Sequence, residues 1–124
     1  FIGLQSLETI PYFLRASDVL VESLKEVPIT KGTFPCKLFE YMASGRPIIF
    51  GSSGGEAVSE LEKAGGALWF STDRPERLSE LILQIKGGEI DGGRLGAAYQ
   101  AHVDRYHRRE VWADRYLEVI RSLS

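Results

Sequence analysis

Residues 34–51, FPCKLFEYMASGRPIIFG, leave the chain few ways to fold. Leu38, Phe39 and Met42 recur at the spacing that puts side chains on one buried face of a helix, while Lys37, Glu40 and Ser44 fall on another. Thr33 and Pro35 stand where a capping hydroxyl and a first-turn proline are favoured. That reading leaves the backbone N–H groups of Cys36 and Lys37 at the positive end of the helix dipole, a position suited to an anionic phosphate. Gly45 is placed to end the helix in the left-handed conformation, and Pro47 keeps the helix from resuming. Ile48, Ile49 and Phe50 then read as a buried strand.

The rest of the chain alternates strand and helix, the pattern of a parallel α/β sheet. Phe1–Gly3 reads as the end of a strand. Thr9 is expected to cap a helix with Pro11 in its first turn and Ile10, Phe13 and Leu14 turned inward, before Asp18 opens a strand over Val19–Val21. After the central helix and strand, Ala57, Val58, Leu61 and Ala64 form the apolar stripe of a helix that stops at Gly65-Gly66. Ala67–Phe70 is the next strand. Asp73, Pro75 and Glu76 start a further helix in capping-box style, with Leu78, Leu81, Ile82 and Ile85 as its apolar face, and Gly87-Gly88 end it. From Asp91 the chain is helical. Leu95, Ala98, His102 and Tyr106 mark one helix, and Trp112, Tyr116, Val119 and Ile120 the last.

The segment Gly32–Ile48 resembles the pattern G-T-x-P-[S/C]-K-[L/I]-F-E-Y-M-A-x-G-[K/R]-P-I found in the carboxy-terminal, donor-binding domain of family 4 (group 1) glycosyltransferases of the two-Rossmann-domain GT-B type. The resemblance extends along most of the chain. FIGLQSLETIPYFLRASDVLV is similar to the strand, helix and strand before that motif, and GGEAVSELEKAGGALWF with DRPERLSELI to the helix, strand and helix after it. It implies a Rossmann-like parallel sheet with flanking helices, truncated and ending in helices, with residues 1–124 forming a single partial domain. It also implies that the parent protein is a retaining hexosyl-type transferase, moving sugar from a UDP- or GDP-linked donor to a saccharide or lipid-linked acceptor in polysaccharide biosynthesis. No cofactor is implied, because the nucleotide-sugar is the substrate, and no metal is expected. The acceptor would be held by an amino-terminal domain outside this chain, so the isolated piece is expected to be inactive.

Site residues follow position by position. Glu40 matches the acid that accepts hydrogen bonds from the donor's ribose hydroxyls, a task for which a two-oxygen carboxylate is suited. Lys37 would add its charge to the helix end in neutralising the diphosphate, or else pair weakly with Glu40 on the solvent side. Cys36 stands where relatives often have serine and reads as packed or capping rather than nucleophilic. The GSSGGE turn, residues 51–56, would bring the amides of Gly54 and Gly55 near a phosphate or sugar hydroxyl, with Glu56 in the following helical turn; a plain tight turn is the alternative. Gln5, with Leu4 and Ser6, falls where relatives contact the base through main-chain atoms. A second glutamate that touches the sugar in many relatives lies eight positions before Glu40, and here that position is Gly32. Glu26 is the nearest upstream acid, without an assigned place.

Composition narrows the alternatives. A chain of 124 residues is one domain, large enough for a real core. Its net charge of -2 argues against a nucleic-acid partner, which would require a concentrated basic excess. One cysteine makes no internal disulfide and fits the cytoplasm, with the cytoplasmic membrane face open to the parent protein through Arg105, Arg108, Arg109 and Arg115. No apolar run approaches the roughly 18 residues of a membrane span, and no signal peptide opens the sequence. Beginning at Phe1 without methionine, the chain is expected to be a piece of a larger protein, with an uncovered sheet edge open to homodimerisation. His102 and His107 are expected on a helix remote from the motif, in a structural or surface role. Two other classes fit the α/β pattern. One is a non-catalytic nucleotide-binding or protein-interaction module, which Gly32 favours. The other is a receiver-like domain, which would need an aspartate at a strand end, whereas Asp18 stands at a strand start.

Overall fold

The computed structural model describes residues 1–123, Lys31 through its backbone. Three parallel strands, β1 (Leu20–Ser23), β2 (Ile48–Gly51) and β3 (Leu68–Phe70), lie side by side in chain order. Leu20 pairs with Ile48, and Ile49 with Leu68. Parallel neighbours need crossovers, and helices supply them: α2 (Cys36–Ala43) between β1 and β2, α3 (Glu56–Lys63) between β2 and β3. Helix α1 (Ile10–Ala16) precedes the sheet, and α4 (Glu76–Lys86), α5 (Gly92–Tyr106) and α6 (Arg109–Ser122) follow it. A short 3-10 turn spans Pro28–Gly32.

The sheet separates two apolar clusters. On one face Leu20, Ile48 and Phe50 meet Leu38 and Met42 of α2, Ala57 and Leu61 of α3, and Leu95, Tyr99 and Val103 of α5. On the other, Ile49 and Phe70 meet Leu81 of α4. All four residues of β2 are buried, as expected of a central strand covered on both faces.

Helices α2 and α5 touch through glycine. Gly45 ends α2 at φ +72°, as its position in the sequence predicts, and a Cβ on Gly96 would lie 2.0 Å from the Gly45 carbonyl oxygen. The two backbones therefore meet with no side chain between them. This contact rotates α5 so that its buried ridge is Leu95, Tyr99 and Val103. The expected ridge of Leu95, Ala98, His102 and Tyr106 is offset, with Tyr106 38% exposed. Tyr99 donates its hydroxyl to the Gly66 carbonyl at 2.7 Å, so the large buried ring carries a satisfied polar tip.

Other local expectations change. Phe1–Gly3 is not a strand; Gly3 has φ +68° and the three residues are exposed, with no neighbouring strand to pair with among the described residues. β1 starts at Leu20, one residue after the expected Val19. In α1 Phe13 is 41% exposed, while Leu14 alone of the expected inward residues packs against the main cluster. Thr9 donates its hydroxyl back to Ser6 O, so it gives α1 no side-chain cap. Thr33 likewise donates to Ile29 O and closes the 3-10 turn, leaving Pro35 as the N-cap residue of α2. The capping box at Asp73 and Glu76 does not form, because Ser71 receives the turn's hydrogen bonds through its carbonyl and hydroxyl oxygens. Helix α6 buries none of its residues.

Candidate functional site

The carboxyl ends of β1 and β2 open into the segments that carry the sequence's candidates. From β2 the chain passes through Ser52 and Ser53 to Gly54 and Gly55, at φ +109° and +103°, and enters α3 at Glu56. Two successive positive φ values demand glycine whatever space surrounds them. Buried Ser52 fixes the turn, donating its hydroxyl to Gly54 O at 2.8 Å and its N–H to Phe70 O at 2.9 Å. From β1 the chain makes the 3-10 turn and enters α2 at Cys36. The amino ends of α2 and α3 thus both follow the carboxyl ends of adjacent parallel strands. Neither has a side-chain cap.

Lys37, on the first turn of α2, does not pair with Glu40. Its Nζ lies 3.4 Å from Oε2 of Glu22, whose side chain is only 10% exposed. Strand alternation explains the partner: Glu22 follows Leu20 by two residues and so faces α2. Sequence reading missed this acid, although its place in the alternation was available. Tyr41 lies nearby; burial first and the Glu22 charge second raise its hydroxyl above the ordinary tyrosine pKa, with Lys37 opposing.

Glu40 is exposed on the flank of α2 that faces α1. It lines a groove of about 440 Å³ with Leu7, Ile10, Pro11, Leu14, Arg15, Ala43 and Ser44. Arg46 anchors the base of α1 by donating from its guanidinium to Arg15 O. Gln5, two residues before Leu7, is exposed and donates its amide to Ile2 O at 2.7 Å. Cys36 is an exposed free thiol at the first position of α2, neither packed nor capping. Glu56 is exposed at the first position of α3.

Glu26 acquires a place. Its Oε1 accepts from the Ser71 hydroxyl at 3.1 Å and the Thr72 N–H at 3.2 Å, residues that directly follow β3. With Val27, Pro28 and Ser53 it lines a groove of about 380 Å³. His102 lies on α5 and His107 at its carboxyl end, but not remote from the motif. Both reach Glu60 on α3, and the His107 ring packs 4.6 Å from that of Phe39, on the motif helix itself. Partial burial raises the Glu60 carboxyl's pKa, but hydrogen bonds from His102 and His107 outweigh it and hold the group below the usual carboxylate value. Their separation of 42 and 47 residues from Glu60 leaves no local signal.

The family described as "Glycosyl transferases group 1" matches residues 1–86. This chain belongs to that family. Over 83 residues it is 32% identical to the GDP-mannose-dependent monoacylated alpha-(1-6)-phosphatidylinositol monomannoside mannosyltransferase of Corynebacterium glutamicum, covering 67% of this chain and 21% of that enzyme. The chain thus spans about a fifth of the curated relative's length. No solved structure matches it. Among the described residues no helix is long and apolar enough to cross a membrane.

Proposed function

We propose that this group 1 glycosyltransferase chain is the donor-binding half of a family 4, GT-B enzyme that transfers a hexosyl unit with retention from a nucleotide-sugar to a saccharide or lipid-linked acceptor. The observation that carries the reading is the placement of two uncapped helix amino ends, those of α2 and α3, after the carboxyl ends of adjacent parallel strands. Amides there present partial positive charge to a diphosphate, and an open α/β sheet offers its ligand crevice at that edge. Lys37 completes the cradle by leaving Glu22 for the diphosphate. Its 64% exposed side chain has the freedom to do so. Glu40 receives the ribose hydroxyls, and the Gly54-Gly55 amides approach the phosphate or sugar.

In this reading the domain holds the nucleoside diphosphate and stabilises the charge that grows on it as it departs. None of its side chains is assigned as a base. The relative's use of GDP-mannose supports a guanine nucleotide, with a UDP-sugar as the alternative. Transfer is assigned to the full-length protein, since the matched relative is several times longer than this chain. The test is Glu40→Ala in that protein. Losing hydrogen bonds to a charged acceptor should raise the donor KM roughly tenfold to a hundredfold or abolish transfer. Unchanged donor kinetics would contradict the ribose role.

Gly32, at the position of the usual first glutamate, favours a second reading in which nucleotide is bound without turnover. Calorimetry with UDP and GDP, followed by a donor-hydrolysis assay, separates the two. Binding with no hydrolysis or transfer would select the second.

A further inference from the structure

We propose that Glu60, His102 and His107 form a binding site for one divalent transition-metal ion, zinc by preference, where α3, α5 and the start of α6 meet. Three segments of the chain deliver the ligands: the middle of α3, the last turns of α5, and the hinge before α6. The Nε2 atoms of both histidines lie 2.7 Å from one oxygen, Oε1 of Glu60, and the three ligand atoms fall within 4.8 Å of one another. Two imidazoles and a carboxylate converging on one point are a zinc donor set that leaves a further coordination position open.

Tetrahedral bonds of 2.0–2.1 Å place ligand atoms about 3.3 Å apart, so each Glu60–histidine separation of 2.7 Å has to widen by about half an ångström to admit the ion. The histidine and glutamate side chains are 11%, 17% and 15% exposed, sheltered yet reachable. Beside them opens a groove of about 380 Å³, bordered by Lys63, Tyr106, Trp112 and Arg115, which supplies an entry path and room for a water ligand. The outer contacts hold the ligands in orientation. Lys63 Nζ stands 3.5 Å from the other carboxylate oxygen, Oε2, leaving Oε1 to the ion. The His107 ring packs on Phe39, and the His102 ring lies 5.0 Å from that of Tyr106. Such partners set ring direction and ligand basicity. The neighbouring cations Lys63 and Arg115 disfavour a hard ion held by charge alone, and imidazole donors favour zinc over calcium or magnesium.

Glu40 and Lys37 contribute nothing to this cluster, and the proposal does not rest on the donor-binding reading. A bound ion would instead pin the hinge before α6 to α3 and, through His107, to the back of α2.

The probe is the metal itself. Full-length protein is stripped with EDTA and titrated with Co²⁺, then Zn²⁺, alongside Glu60→Gln and the double variant His102→Gln/His107→Gln. The site predicts visible cobalt absorption of a four- or five-coordinate ion, displaced by zinc, with one equivalent fewer bound in each variant and unchanged circular dichroism. Equal zinc uptake by wild type and variants overturns it, as does no uptake by the wild type. Should the variants not fold, X-ray absorption of the zinc-loaded wild type decides. Two imidazole nitrogens on the ion support the site, and their absence overturns it.

Discussion

Helices α2 and α6 make opposite use of apolar sequence. α2 has eight residues and buries Leu38 and Met42 completely, whereas α6 has fourteen and buries none. Both carry apolar residues at helical spacing, though those of α6 are fewer for its length and less segregated onto one face. What stands opposite widens the difference. α2 crosses between two paired strands and meets the backbone of α5 at Gly96. α6 leaves Trp112 46% and Tyr116 71% exposed. Helical stability in proteins comes mostly from tertiary packing, and here one helix has a packed face and the other does not.

The contrast breaks most readily at the glycine contact. Gly96→Ala would set a methyl against the Gly45 carbonyl, a backbone group with no rotamer to yield, and should cost about 3 kcal/mol or more in urea denaturation. Leu38→Ala, which opens a cavity beneath α2, should cost about 3 kcal/mol by the same measurement. Tyr99 sharpens the picture through pH. Burial raises its hydroxyl far above the ordinary tyrosine value of 10.0, so above that pH the unfolded chain releases a proton that the folded chain keeps. Stability should therefore fall as pH rises past about 10. Tyr99→Phe should flatten that decline while costing about 1–2 kcal/mol at neutral pH, since the Gly66 carbonyl loses its donor. At the other extreme, Tyr116→Ala on α6 should change stability by no more than about 0.5 kcal/mol. A large loss there would mean that α6 is packed in solution.

What the sequence could disclose follows the range of the interactions involved. The periodicity of Leu38 and Met42, the Gly45 stop and the Ile48–Phe50 run are local, and each lies where the pattern puts it. The buried ridge of α5 lies one position off its sequence pattern, because the Gly45–Gly96 contact that sets its rotation joins residues far apart in the chain. Thr33 suits a cap for α2, but the preceding 3-10 turn offers its hydroxyl a nearer acceptor at Ile29. At the candidate site, Lys37 and Glu40 were legible through a contiguous motif. Their surroundings were not. The acid facing Lys37 comes from β1, and the acid at Glu26 finds its partners 45 and 46 residues away. The histidine cluster needs three elements folded together before it exists.

That Glu26 contact gives the mouth of the sheet a strap. β1 and β3 never pair, since β2 lies between them, yet one carboxylate ties the rim beyond the first to the rim beyond the third. The opening over β2 is thereby bridged from its outer banks, and whatever enters there meets two loops joined by a single carboxylate.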